Sequence, residues 1–199
     1  MITILVEGHS EVESVPILVR RFVEDFGAYD IPVNRPIKVK RNQVVKPGNL
    51  EKAVEAAIRW YPETKALILI LDADDDCPKY HAPELLQRLQ NSTNCICSVV
   101  LARTELEAWF VASIQSLRGR RGVRMDANPP QDPEEIHGAK EWLTRAMEGN
   151  TYVATDDQPA FSQLFDRQQA FERCRSFRKF HKDVTGILRD LGTLNQTVT

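Results

Sequence analysis

Ala66-Leu67-Ile68-Leu69-Ile70-Leu71 runs without a break into Asp72-Ala73-Asp74-Asp75-Asp76. Six consecutive apolar residues suit a central strand buried on both faces, as a parallel sheet covered by helices requires. In an open α/β sheet, ligands bind outside the carboxyl ends of the strands. Here that end is acidic. Two other apolar runs end the same way: Ile2 to Val6 leads into Glu7-Gly8-His9-Ser10-Glu11, and Cys95 to Ala102 into Arg103-Thr104-Glu105-Leu106-Glu107. Carboxylates crowded at one edge repel one another unless a cation neutralises them. Hard oxygen donors of this kind favour Mg²⁺ or Mn²⁺. The three strand ends predict a metal-dependent site suited to phosphate chemistry.

Between these runs the chain alternates strand and helix, which predicts an α/β fold with a mainly parallel sheet. Val12, Val15, Val19, Phe22, Val23 and Phe26 recur at helical spacing after the first strand, with Pro16 inside the pattern as an expected kink or shifted start. Lys38 to Val45 reads as a weak basic strand, the fourth of the sheet. Helices are expected at Gly48–Tyr61, Pro83–Leu89 and Glu105–Ser113. After Ala102 no strand is legible. The prolines of Asn128 to Pro133 mark a loop. Helices follow at about His137–Met147, Pro159–Phe165 and Gln168–Leu188. The expected organisation is a core over 1–113, a helical extension packed on it over 114–191, and a disordered tail over 192–199.

Composition bounds the function classes. With 199 residues, 42% apolar and 27% charged, the chain is an ordinary globular one able to bury a full core. Its net charge of −2 does not announce a nucleic-acid partner, but the basic residues are clustered. Arg35, Lys38, Lys40, Arg41 and Lys46 stand together without an acid. Arg118, Arg120, Arg121 and Arg124 fall within seven positions, and from Arg167 to Lys182 six basic residues face Glu172 alone. Such segments suit a polyanionic substrate, and equally a solvated surface. The cysteines (77, 95, 97 and 174) form no CxxC and no histidine pair has ligand spacing, so zinc is not expected. Cys95 and Cys97 read as core residues of a reduced, cytoplasmic protein. No basic leader precedes the first strand, and no apolar run approaches the roughly 20 residues of a membrane span.

The acids divide by their surroundings. Ser10-Glu11-Val12-Glu13 fits a capping box with Ser10 as N-cap, which places Glu11 at the first helical position beside the site. Thr104-Glu105-Leu106-Glu107 repeats the pattern, so that Glu105 is the site acid and Glu107 closes the box. Acids in a first helical turn also stabilise the helix dipole by roughly 0.3–1 kcal/mol without any metal. Asp72 and Asp74 lie two apart on an extended chain and share a face, about 6.6 Å apart along it. The run is not an EF-hand loop, because its sixth and twelfth positions are Cys77 and Pro83. No GxxxxGK[S/T] loop occurs.

Glu7-Gly8-x-x-Glu11 followed by Asp72-x-Asp74 resembles the Toprim superfamily of topoisomerase, primase and OLD-type nuclease domains. The fuller resemblance, carried by ILVEGHSE, LILDADDD, ELEAWF, GAKEWL, DDQPAF and RSFRKF in that order, is to small stand-alone Toprim-like proteins, domain-of-unknown-function family 4276. It implies a Toprim-like four-stranded sheet and Glu7 as general acid/base or metal ligand. It implies Asp72 and Asp74 as metal ligands, and Glu11 and Glu105 as the acids of a second metal. It also implies an ATPase partner in prokaryotic phage-defence or mobile-element loci. His9 departs from many Toprim sequences and would add a proton donor. Lys140, Arg178 and Lys179 lie on late helices that could bring them to a phosphate, with the Arg118–Arg124 loop as further nucleic-acid contacts; the same cations could instead cover packed aromatics.

Three readings follow. The first is a Mg²⁺- or Mn²⁺-dependent nuclease acting on DNA or RNA. The second is a non-catalytic or conditionally active subunit that binds nucleic acid or an ATPase. The third rests on the resemblance of an Asp-x-Asp after an apolar strand to the haloacid-dehalogenase phosphatases, and is a small-molecule phosphohydrolase; it calls for a closed pocket over Asp72.

Overall fold

The structure is a computed structural model and describes residues 1–74, 76–149 and 151–196. Strands β1 (Ile2–Val6), β2 (Ile37–Lys38), β3 (Ala66–Asp72) and β4 (Ile96–Ala102) form one parallel sheet in the order β2-β1-β3-β4. β3 pairs with β1 from Ile2↔Ala66 to Val6↔Ile70 and with β4 from Ala66↔Ile96 to Asp72↔Ala102. That two-sided pairing is why the Ala66–Leu71 run carries no polar residue. The first connection leaves β1 for β2 on one side and the next returns to β3 on the other. The sheet's topological switch point therefore lies between β1 and β3, where α/β sheets of this kind open a crevice.

Alternation sorts each strand's side chains onto two faces. Leu67, Leu69, Leu71, Val99 and Leu101 meet α3 (Asn49–Trp60) and α4 (Pro78–Ser92) through Leu50, Val54, Leu85 and Leu89. On the other face, Ile2, Ile4, Ile68, Ile70 and Val100 share a core with α1 (His9–Asp25), α5 (Ala108–Ala112) and the helices of the second half. These are α6 (Ala139–Ala146), α7 (Ala154–Leu164), α8 (Arg167–Arg173) and α9 (Arg175–Gln196). Trp109 joins the halves. It is fully buried, stacks on Phe180 at 5.3 Å, meets Phe177 edge-on at 5.2 Å, and donates its indole N–H to Ser176 Oγ at 2.7 Å. Phe110, Phe161 and Phe165 continue the ring cluster. No helix among the described residues is long and apolar enough to cross a membrane.

Several sequence expectations are corrected. The basic stretch expected as a strand over Lys38–Val45 is strand only at Ile37–Lys38 and then coils into α2 (Arg41–Val44). The helix expected from Glu105 starts three residues later. Pro16 neither ends α1 nor delays its start at His9. The single late helix is two, parted at Cys174 (φ −114°, ψ 121°). The tail expected from residue 192 is helical through Gln196, and 197–199 lie outside the described residues.

Replacing a fully buried aromatic that also donates a buried hydrogen bond leaves a cavity and an orphaned acceptor. Trp109→Ala should therefore lower the unfolding free energy by about 3–5 kcal/mol in urea titrations. A loss below about 1 kcal/mol would show that the second half does not depend on this ring cluster.

Candidate functional site

Glu7 follows β1 directly, Asp72 ends β3, and Glu105 and Glu107 follow β4, so neighbouring strands deliver all of them to one edge. Glu7 and Asp72 flank the switch-point crevice. Electrostatics report how close the acids stand. Burial, then the charge of Asp74, raises the Glu7 pKa, against the charge and backbone N–H of Arg41. Burial, then Glu11 and Glu107, pushes the Asp72 carboxyl well above the ordinary range, while Lys140 and the Leu106 N–H pull it back. Burial first, with Glu107 and Glu7 behind it, also raises Glu11, against the N–H groups of Gly8 and Glu7. Glu7 Oε2 is buried without a hydrogen-bond partner.

Both expected capping boxes are corrected. The N-cap of α1 is Gly8, and Glu11 is the third helical residue, its Oε2 accepting the N–H groups of Glu7 and Gly8 at 3.0 Å each. A Cβ at position 8 would lie 2.8 Å from Glu11 Oε1, so glycine is what lets this carboxylate fold back over the turn. Glu13 faces solvent and pairs with Arg35. At the second site Thr104 caps nothing. Glu107 is buried and accepts Tyr152 Oη–H at 3.3 Å and Gln158 Nε2–H at 3.2 Å on one oxygen, while the other lies 3.2 Å from Lys140 Nζ. Ser14 of α1 donates to Gln158 at 2.7 Å, extending the chain of contacts to a fourth element.

Asp72 and Asp74 also part company. Asp72 Oδ1 accepts the Leu106 N–H at 2.8 Å. At Asp74 the backbone leaves the extended region (φ 48°), bridges Thr104 (φ 57°), and aims the carboxylate at Arg41, 3.0 Å away. The shared face expected for residues two apart holds only while the chain stays extended. Left-handed backbone at a β-branched threonine is a true outlier. Thr104 is held there by Oγ1–H contacts to the carbonyls of Arg103 and Ile136. Strain of this kind persists where a surrounding structure imposes it, often at functional edges.

Two cations stand among the acids. Arg41 reaches Asp74, Asp76 and the Ala73 carbonyl. Lys140, on the first turn of α6, lies 2.8 Å from Glu105. Burial works against the Lys140 charge, but Glu107, Glu105 and Asp72 outweigh it and raise its pKa. A cavity of about 560 Å³ opens over this edge, lined by Arg41, Asp74, Asp76, Thr104, Glu105, His137 and Gly138. Arg41 and His137 are residues sequence reasoning did not place here, and only the unmatched basic run around Arg41 signalled one of them; Glu107 is expected at this edge, but as a cap residue. Among the described residues no three His, Cys, Asp or Glu side chains form a group that could hold a metal ion. The donor chemistry nonetheless suits a hard divalent cation: carboxylate oxygens only, one of them, on Glu7, buried and unpartnered.

The other expected contacts lie elsewhere and are engaged internally. Arg118 holds Ala127 and Asn128, Arg121 the buried Asp157, and Arg124 pairs with Asp126. Arg120 and His9 are exposed. Arg178 donates to the Phe171 and Glu172 carbonyls, and Lys179 pairs with Asp183.

Fold and site together define an α/β protein with an acid-lined crevice at the switch point of a parallel sheet. The family model described as domain of unknown function (DUF4276) matches residues 6–185, and the chain belongs to that family. Comparison with curated proteins gives no match, and neither does comparison with solved structures.

The raised carboxyls set a pH dependence. A carboxyl whose folded pKa exceeds its unfolded one binds protons more tightly when folded, so stability falls as pH rises from the ordinary range through the raised value. Asn resembles the protonated acid and keeps an acceptor for Leu106. Asp72→Asn should melt higher than the parent at about pH 8, with the gap closing as pH falls toward about 5. A variant that melts lower by the same margin at every pH would mean the Asp72 charge is not under strain.

Proposed function

We propose that the protein is a Toprim-type, Mg²⁺- or Mn²⁺-dependent hydrolase of phosphodiesters, a nuclease. The observation that supports this reading is the gathering of acids at one sheet edge, where burial and neighbouring carboxylates raise the pKa values of Glu7, Glu11 and Asp72 and a Glu7 oxygen is left unpartnered. Glu7, Asp72 and Asp74 would hold the cation, with Glu11 and Glu105 as additional ligands, once Arg41 and Lys140 release Asp74 and Glu105. Among the described residues these acids are not gathered into a ligand group while those ion pairs stand. The chemistry that Mg²⁺ or Mn²⁺ supplies, when bound, is a water made nucleophilic near neutral pH and relief of charge on a phosphoryl oxygen.

The chain's own residues prepare that chemistry. Glu11 is pinned by two backbone N–H groups, so its second oxygen keeps a set direction. Glu107, gripped by Tyr152, Gln158 and Lys140, positions Lys140 and through it Glu105. His137 lines the cavity and would be the donor of a proton to a departing oxygen. The cavity over this edge is open and is not the closed pocket over Asp72 that a dehalogenase-type phosphohydrolase calls for.

A second reading is favoured by one observation: Arg41 occupies Asp74 and Lys140 occupies Glu105. A site held by internal cations suits a subunit that becomes active only on meeting nucleic acid or a partner such as an ATPase, which would draw these ion pairs apart.

Mg²⁺ or Mn²⁺ should raise the melting temperature, because ligands bound only by the folded state stabilise it. Asp72→Asn combined with Asp74→Asn should remove that increment. With labelled DNA and RNA and millimolar Mn²⁺, Glu7→Gln should slow cleavage by roughly 100-fold or more. An undiminished metal response in the double variant, or cleavage that persists in EDTA, would sink the reading.

A further inference from the structure

The late basic segment contains cations of two kinds. Arg178 and Lys179 are occupied within the chain. Arg173 and Arg175 are not: both are exposed, and neither has an acid partner among the described residues. They flank Cys174, which is fully buried in an extended conformation, so alternation turns the two guanidinium groups outward together. They line a cavity of about 720 Å³ that also takes in Lys79 and Arg103 and the internally paired Arg178 and Lys179. Its apolar wall is formed by the half-buried Pro78 and Ala82 of α4, with the buried Val99 and Leu101 of β4, the edge strand of the sheet, beneath them. Of the cleft's acids, Glu134 is used by the N–H groups of Arg175 and Ser176 and Glu135 by Arg103. Asp132 alone then faces Arg173, Arg175 and Lys79.

This cleft abuts the acid-lined cavity. Three chain segments pass from one to the other within two residues: Asp76 to Cys77, Arg103 to Thr104, and Glu135 to His137, one member of each pair lining each cavity. Cations spaced along an apolar wall match an extended strand of alternating phosphates and base faces. A duplex keeps its base faces stacked inside, and a single phosphate would leave most of the wall bare.

We propose that the cleft binds a single-stranded nucleic acid, with phosphates on Arg173, Arg175 and Lys79 and bases against Pro78 and Ala82. Its role in delivering the backbone to the carboxylates rests on the hydrolase reading; binding itself does not. The test is fluorescence anisotropy of the full chain in EDTA, with labelled oligothymidylate and oligouridylate. A duplex of equal length and inorganic triphosphate serve as competitors. The single strands should bind at low salt and resist the duplex. Arg173→Ala/Arg175→Ala/Lys79→Ala should weaken binding at least about tenfold and reduce the log–log salt slope by about 2, three contacts at roughly 0.7 each. Arg173→Lys/Arg175→Lys should retain most of the affinity, and Arg120→Ala all of it. The proposal is overturned if no strand binds, if the triple variant binds like the parent, or if duplex or triphosphate displaces the strand as readily as unlabelled single strand does. Strand binding in EDTA without cleavage in Mn²⁺ would count against the hydrolase reading alone.

Discussion

The structure turns on one electrostatic constraint: more negative charge is gathered at the carboxyl edge of the sheet than its surroundings can solvate. Burial and mutual repulsion raise the pKa values of Glu7, Glu11 and Asp72. The protein's answer is partial. Lys140 enters from α6 and is shared by Glu105 and Glu107, and Arg41 enters from α2 and takes Asp74. Like charges held in a partly dry crevice are costly unless a cation, a proton or a hydrogen bond offsets them. The arrangement therefore costs the fold stability.

That constraint also explains why the second half folds onto the first. α6 brings the compensating ammonium, α7 brings Gln158 to Glu107, and the loop before α7 brings Tyr152. These polar contacts sit above the ring cluster around Trp109, which supplies the apolar area. Glu134 closes the other end of the same layer, accepting the first N–H groups of α9 and Ser176 Oγ–H, while Ser176 receives the Trp109 indole. Hydrophobic burial thus holds the extension in place, and hydrogen bonds to charged groups set its register over the crevice.

The family assignment and the geometry bear on different questions. Membership over residues 6–185 ties the acidic edge and the late helices to one unit of sequence. The geometry says which of its charged residues face an open cavity and which are consumed within the fold. Arg121, sealed against Asp157, is consumed; Arg178 lines the basic cleft while capping α8, and Arg173 and Arg175 line it without an acid partner among the described residues.

Much of this was determined by sequence. An unbroken apolar run ending in Asp72 suits a strand buried on both faces, and three such ends in acids predict one acidic edge whatever their order in the sheet. What local pattern could not decide is direction. Ser10 and Thr104 both look like helix caps, yet Gly8 caps α1 and Thr104 is bent into left-handed backbone, because neighbouring strand ends and the Ile136 carbonyl outweigh a capping hydroxyl. Asp74 leaves the face of Asp72 for the same reason: a single residue's φ, set by its bridge to Thr104, redirects the carboxylate to Arg41. Glu107 reads locally as a cap residue and becomes a buried hub only when Tyr152, Gln158 and Lys140 arrive from 33 to 51 positions away. Periodicity and composition act within a turn or a strand. The partner of a charge is chosen across the whole fold, by which elements bring opposite charge and donors within reach.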